Sequence, residues 1–321
     1  NCRTEQLGGH VYACRGCREL RYSYHSCKNR HCPKCQHKAA ERWLEEQENL
    51  PLPVPYFLLT FTLPQGVREV ARRNQRSVYN LLFRASAAAV QKLARDPRFV
   101  GGQIGMMGVL HTWGRDLSYH PHVHFLVAGG GLAEDGRTWL YSREDFLVPV
   151  KALSRLFRGK FRAGFSKAQH LTEVPADVWR QDWVVHCQAV GSGRAALKYL
   201  APYIFRVALS NRRLHRLAQG RVTFRYRDSS SGQERHCTLG AEEFIRRFLP
   251  QSAGTIVQHV LPKGFVKVRY YGLFSSRQRK LLARVRRMLG AVAPPRIEEA
   301  SGEEEILRCP RCGKGMRWVQ R

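Results

Sequence analysis

The residues best suited to chemistry lie in one short stretch, Tyr119-His120-Pro121-His122-Val123-His124-Phe125-Leu126-Val127. In an extended strand, positions two apart project to the same side. His120, His122 and His124 then share one side, while Val123, Phe125 and Val127 pack on the other. Imidazoles so spaced can hold one divalent ion, and two or three on one side outweigh the ordinary reading of a lone strand histidine as structural. Pro121 disturbs the start of this strand, so His122 and His124 are the firmer ligands. His111, on a neighbouring strand candidate, is a further contributor. Downstream, Tyr199 and Tyr203 stand four residues apart. On a helix they occupy one side, a turn apart. That spacing alone suits packing aromatics at least as well as it suits a pair of hydroxyl groups.

The ten cysteines form three groups: six between Cys2 and Cys35, the isolated Cys187 and Cys237, and the late pair Cys309 and Cys312. Clustering with CxxC spacing points to metal in a reducing compartment rather than to a disulfide framework. Cys14-x2-Cys17 and Cys32-x2-Cys35, fourteen residues apart, have the spacing of a four-cysteine zinc site. Cys2, His10, Cys27 and His31 add four more ligand types within the same segment, enough for a second ion. The alternative is one zinc, with Cys27 in a small core and the histidines on the surface. Few aliphatic residues precede Trp43, so metal supplies much of the folding energy of such a module. Cys309 and Cys312 make half of a zinc knuckle; the pair borrows ligands from elsewhere, lacks its other half, or holds no metal.

The elements that position these groups read as α+β, with a central antiparallel sheet flanked by helices and a small N-terminal zinc-binding domain. Strands are expected at Tyr56–Leu63, Ile104–Trp113, His122–Val127, Trp183–Val190 and Val266–Tyr271, with a hairpin from Val222–Tyr226 and Arg235–Leu239. Helices are expected over Val67–Arg95, Val150–Phe165, Arg194–Ile204, Ala241–Phe248 and Arg277–Leu289. The Pro-rich run Leu50–Pro55 reads as an extended linker, and a second break is expected over Ala291–Glu305. The division is a zinc-binding, DNA-binding domain at 1–50, a catalytic domain at 55–210, a basic extension at 211–290, and an acidic linker with the partial knuckle at 291–321.

Composition narrows the partner. Among 321 residues, 54 Lys and Arg against 25 Asp and Glu give a net charge of +29. Hydrophobic residues at 43% exclude disorder throughout. From Arg194 to Gly290 there are 21 basic and 4 acidic residues, interleaved with Tyr203, Phe205, Phe224, Tyr226, Tyr270 and Tyr271. Such a surface suits phosphates and stacked bases better than a membrane, which would ask for one basic amphipathic helix. No apolar run approaches the ~18–20 residues of a membrane helix, and no signal peptide is legible. The expectation is a soluble protein with no membrane partner.

A histidine–hydrophobic–histidine strand followed by a Tyr-x3-Tyr helix resembles the HUH endonuclease superfamily. Within it, the chain is similar to the two-tyrosine transposases of the bacterial insertion-sequence group numbered ninety-one and their common-region relatives. The words that carry the resemblance are Leu7-Gly8-Gly9-His10, Ser26-Cys27-Lys28-Asn29-Arg30-His31-Cys32-Pro33-Lys34-Cys35, Leu110-His111-Thr112-Trp113-Gly114, His120-Pro121-His122-Val123-His124 and Lys198-Tyr199-Leu200 to Tyr203. Arg206-Val207-Ala208, Ser210-Asn211 and Val268-Arg269-Tyr270-Tyr271-Gly272 follow in order. The resemblance implies an HUH nuclease fold and a DNA transposase that cleaves and rejoins single-stranded DNA through 5′-phosphotyrosine intermediates at Tyr199 and Tyr203, in rolling-circle-like transposition. It implies Mg²⁺ or Mn²⁺ at His122 and His124, structural zinc, transposon-end and target DNA as partners, and a bacterial, nucleoid-associated location in the cytoplasm. His120 is the expected third ligand, with His111 and Asn211 as rivals. Arg206, Arg212, Arg213, Arg216 and Lys198 are the expected phosphate contacts; the plainer reading is a solvated basic face. A plasmid replication initiator or relaxase shares this chemistry, and a non-catalytic zinc-bearing nucleic-acid-binding protein is the further alternative.

Overall fold

The computed structural model describes residues 2–28, 32–47, 51–168, 173–205, 209, 211–228, 231–248, 261–291 and 307–320. The head contains β1 (Gly9–Cys14), β2 (Leu20–Tyr24) and α1 (Pro33–Gln47). The body runs through β3 (Pro55–Thr62), α2 (Gln65–Arg73), α3 (Gln75–Ala94), β4 (Gln103–Trp113), β5 (Tyr119–Leu132), β6 (Trp139–Tyr141), α4 (Val150–Lys167), β7 (Val185–Ser192) and α5 (Gly193–Phe205). Next come β8 (Leu214–Ala218), β9 (Arg221–Arg227), β10 (Glu234–Gly240), α6 (Ala241–Phe248), β11 (Val268–Gly272), α7 (Arg279–Met288) and β12 (Met316–Gln320).

The body is built on one antiparallel sheet of order β11-β4-β5-β3-β7, with β6 added to β5. Strand alternation gives the sheet two different faces. Phe57, Leu59 and Phe61 of β3 and Val123, Phe125 and Val127 of β5 face a large core shared with α2, α3 and α4. On α4, Leu153, Phe157, Phe161 and Phe165 recur every four residues and are all fully buried. Each such side chain contributes roughly 1.5–3 kcal/mol by leaving water, which fixes the helix on the sheet. The opposite face carries Tyr56, Met107, Val109, Leu126 and Ala128, covered by Ala196, Leu197 and Leu200 of α5 and Leu282 and Val285 of α7. Trp43 and Leu44 of α1 pack onto this second core, so the head's helix lies directly against α5.

Three local features differ from expectation. The segment expected as one helix over Val67–Arg95 is broken at Asn74, whose backbone leaves the helical region while its side-chain amide bonds to the Val70 carbonyl. Asn competes with helical hydrogen bonding in this way, and the apolar pattern on either side masked the break. The proline-rich run is not a solvated linker along its described length, because Leu52 and Val54 are buried in the second core and the Leu52 amide donates to the Tyr56 hydroxyl. The basic hairpin gains a third strand, giving a separate sheet of order β10-β9-β8. It is joined to the body through Phe224, Leu209, Leu117 and Trp113.

Candidate active site

β5 presents its histidines on the sheet face that α5 covers. The register places His122 opposite Thr62 of β3 and His111 of β4, and His124 opposite Thr60 and Val109. His111, His122 and His124 each bring a ring nitrogen within 4.8 Å of the others. Their ring centroids are 4.9–5.3 Å apart. The expected third ligand, His120, lies outside this triad, although its ring is 5.2 Å from that of His122. His120 stands four residues along β5 from His124, whereas His111, opposite His122 on the paired strand, lies 5.3 Å from His122 and 4.9 Å from His124 and so reaches both. The triad fits a divalent ion by donor type and spacing.

Hydrogen bonds orient two of the rings. Nδ1 of His122 donates to the His120 carbonyl oxygen at 2.6 Å, so Nε2 carries the lone pair. Nδ1 of His124 bonds to the Thr60 hydroxyl at 2.9 Å. Such outer contacts fix tautomer and ring angle at metal sites. Burial pushes His124 down to about 4 and drives His122 well below the ordinary histidine range, helped by the neighbouring imidazoles. His120 is also lowered by burial, and Arg68 adds to the effect. Neutral imidazoles are the metal-binding form, and the site keeps them neutral at physiological pH.

Tyr199 and Tyr203 lie on α5, and their side chains fall outside the described residues. A chain of contacts links the end of α5 to the histidines. The Ile204 carbonyl accepts a 2.9 Å hydrogen bond from Lys267 Nζ. That ammonium lies 5.4 Å over the Trp113 ring, which stacks on His111 at 5.6 Å. Thr60 and Lys267 carry no signal in sequence spacing, since each matters only through strand register or tertiary contact, whereas Trp113 stands in the motif that includes His111.

The sulfurs group differently from their spacing. Cys2, Cys27, Cys32 and Cys35 form one tetrad, and Cys14, Cys17, Cys309 and Cys312 form the other. Cys14 and Cys17 therefore do not meet Cys32 and Cys35. Their partners are the late CxxC, brought in by β12, which pairs with β1. Sulfur–sulfur distances are 3.5 Å for Cys2–Cys35, 3.7 Å for Cys27–Cys35, 3.4 Å for Cys14–Cys312 and 3.6 Å for Cys17–Cys309. A tetrahedron with Zn–S bonds of about 2.3 Å has edges near 3.8 Å, so both tetrads fit zinc. Backbone N–H donors support the thiolate: those of Cys17 and Gly16 lower Cys14 to about 6, and that of Cys27 lowers Cys2 to about 6. His10 belongs to neither tetrad, and His31 lies outside the described residues. We expect the Cys309→Ser, Cys312→Ser double variant to bind one zinc per chain where the parent binds two. Metal analysis reads the loss, and limited proteolysis should show β12 and β1 opened; an unchanged zinc content would exclude the late pair as ligands.

The expected phosphate contacts divide. Arg212 and Arg216 are exposed on the β8–β9–β10 side, and Lys198 is exposed on α5. Arg213 instead gives its guanidinium to the carbonyls of Arg225 and Arg115, holding the hairpin to the loop before β5. Arg206 lies outside the described residues, as does the side chain of Asn211. Among the described residues, no helix is long and apolar enough to cross a membrane.

Residues 105–281 match the family model described as "Putative transposase", and residues 1–63 match that described as "Transposase zinc-binding domain". The chain is 39% identical to the "Putative transposase y4qJ" of Sinorhizobium fredii, over 98% of this chain and 85% of that protein. It is 29% identical to the "Transposase for insertion sequence element IS801" of Pseudomonas savastanoi pv. phaseolicola, over 98% of this chain and 80% of that protein.

Proposed function

The chain belongs to the transposase family of these matches, and on that premise we propose that it cuts and rejoins single-stranded DNA through covalent phosphotyrosine intermediates. The observation that carries this reading is the convergence, on one sheet face, of the His111–His122–His124 triad and the helix bearing Tyr199 and Tyr203. The histidines would hold Mg²⁺ or Mn²⁺, and when bound the ion supplies charge stabilisation at the scissile phosphate. A tyrosine hydroxyl, with an ordinary pKa near 10, loses its proton as its oxygen attacks phosphorus. The Tyr–O–P bond forms, the bond from phosphorus to the 3′ oxygen breaks, and that oxygen leaves as a free 3′-hydroxyl after taking up a proton. The phosphotyrosine keeps the energy of the broken diester, so a 3′-hydroxyl can reverse the step without ATP. Two tyrosines can hold two ends, or act in turn, as rolling-circle-like transposition requires.

Exposed Arg212, Arg216 and Lys198 support the phosphate-tracking role of this side of the molecule. The substrate is transposon-end and target DNA in the bacterial cytoplasm, at the nucleoid. A replication initiator or relaxase would share the chemistry, but the two similar proteins bear transposase names, which favours transposition. The test is incubation of the full chain with single-stranded element ends and Mn²⁺. A covalent adduct on the 5′-phosphate end that the cut creates, abolished by EDTA, is the expected result. Binding without any adduct would instead support a zinc-bearing DNA-binding protein without nuclease activity.

A further inference from the structure

The head holds a concave site, far in sequence from the histidine triad. It is a cavity of about 450 Å³ lined by Arg3, His10, Ser23, Tyr24, His25, Ser26 and Lys28. None of these side chains is a carboxylate, and each carries a polar hydrogen. His10 and His25 meet edge to face at 4.8 Å. Arg3 Nε and His10 Nδ1 are sealed from solvent and have no hydrogen-bond partner among the described residues. Two buried donor-type nitrogens thus stand in this wall without a hydrogen-bond partner among the described residues.

Its construction depends on the sulfur tetrad beside it. Arg3 directly follows Cys2, and Lys28 directly follows Cys27. Both residues adopt left-handed backbone, with φ of 57° and 50°, which residues other than glycine rarely do. Each turn carries the chain from a sulfur ligand straight into the cavity wall. The Arg3 amide donates to the His25 carbonyl at 3.0 Å, which closes the two walls on each other. At the rim, Tyr24 stacks on Tyr22 with ring planes 18° apart, and both rings are exposed at 40% and 57%.

We propose that this cavity is a nucleotide site, seating one backbone phosphate of single-stranded DNA between Arg3, Lys28, His10 and His25, with the adjoining base stacked on Tyr24. A wall of donors without a carboxylate selects an anion, and exposed stacked tyrosines accept unpaired bases of any sequence. The proposal rests on the reading of single-stranded DNA as substrate. It deepens that reading by giving the zinc head direct contact with the strand at a point separate from the cut.

The experiment measures binding of fluorescent oligothymidylate to the full, zinc-loaded chain carrying Tyr199→Phe and Tyr203→Phe, so that no covalent step intervenes. Adding Arg3→Ser and Lys28→Ser should weaken binding about tenfold and lower the slope of log K against log salt by about 0.7, the loss of one phosphate contact. Adding Tyr24→Ala should weaken binding about fivefold or more while leaving the salt slope unchanged. Lys28 is exposed, so Lys28→Ser alone tests the site without disturbing the fold, with about a threefold loss expected. Unchanged affinity and slope in Lys28→Ser, with two zinc ions retained, would overturn the proposal. Adduct formation by the parent chain is scored separately. An adduct with unaltered Lys28→Ser binding sinks the pocket alone, whereas weakened binding without an adduct sinks the nuclease reading alone.

Discussion

The Tyr199→Phe, Tyr203→Phe double variant is expected to form no covalent adduct with single-stranded element ends, a drop of at least about 10⁴-fold in adduct formation. Phenylalanine keeps the ring and, within a few tenths of a kcal/mol, the helix propensity of tyrosine, so α5 stays folded. What disappears is the oxygen that bonds to phosphorus. Water at the same place would cut without attachment, so the decisive readout is protein bound to DNA after denaturation, not loss of substrate. Affinity for the same strand should stay within about twofold, because each hydroxyl contributes little beside the basic surface. Each single variant is expected to retain an adduct at one end and to lose joined product. An adduct that survives the double change would remove both residues from the mechanism.

Alanine at His111 should slow cleavage by about a thousandfold, with DNA binding changed less than about threefold. The reasoning is geometric. His111 stands opposite His122 across two paired strands and brings its ring nitrogen within reach of both partners. Removing one of three ligands leaves an ion that binds weakly and is poorly centred on the phosphate. Manganese titration of the variant should show affinity lower by about a hundredfold, in line with the loss of cleavage. His111 is only 3% exposed, so part of any loss could come from an empty space in the sheet face. His111→Gln fills that space and serves as the control for folding. His120→Ala, one place removed from the triad, should cost less than about tenfold. A dead His120→Ala beside an active His111→Ala would return the third position to His120.

Much of this site was legible in the order of residues because its determinants are local. Strand alternation put His122 and His124 on one side and Val123, Phe125 and Val127 on the other, and burial follows that alternation. The helix carrying the tyrosines and the helix over Ala241–Phe248 were marked by their apolar spacing and turn residues. What stayed hidden was set by partners far along the chain. Choosing His111 over His120 needs the register of β4 against β5, and neither strand encodes its register by itself. The sulfur grouping needs β12 beside β1, a pairing of residues just over 300 positions apart. Spacing rules assume neighbouring CxxC pairs share a site, and here the two nearest pairs join different tetrads. Asn74 was hidden for a different reason, since a helix break flanked by continuous apolar periodicity leaves no compositional trace.

The joining of Cys14 and Cys17 to Cys309 and Cys312 also sets an order of events at the ribosome. Cys14 and Cys312 are 298 positions apart, and a ribosome adds about 5–20 residues each second, so the earlier thiols wait roughly 15–60 s for their counterparts. Throughout that interval the amino-terminal hairpin lacks its third strand, while the Cys2–Cys35 tetrad is already complete in the nascent chain. The head is thus completed only once β12 has emerged, and a chain that stops between Leu289 and Cys309 has the body sheet and its helices whole but a clasp that has never shut.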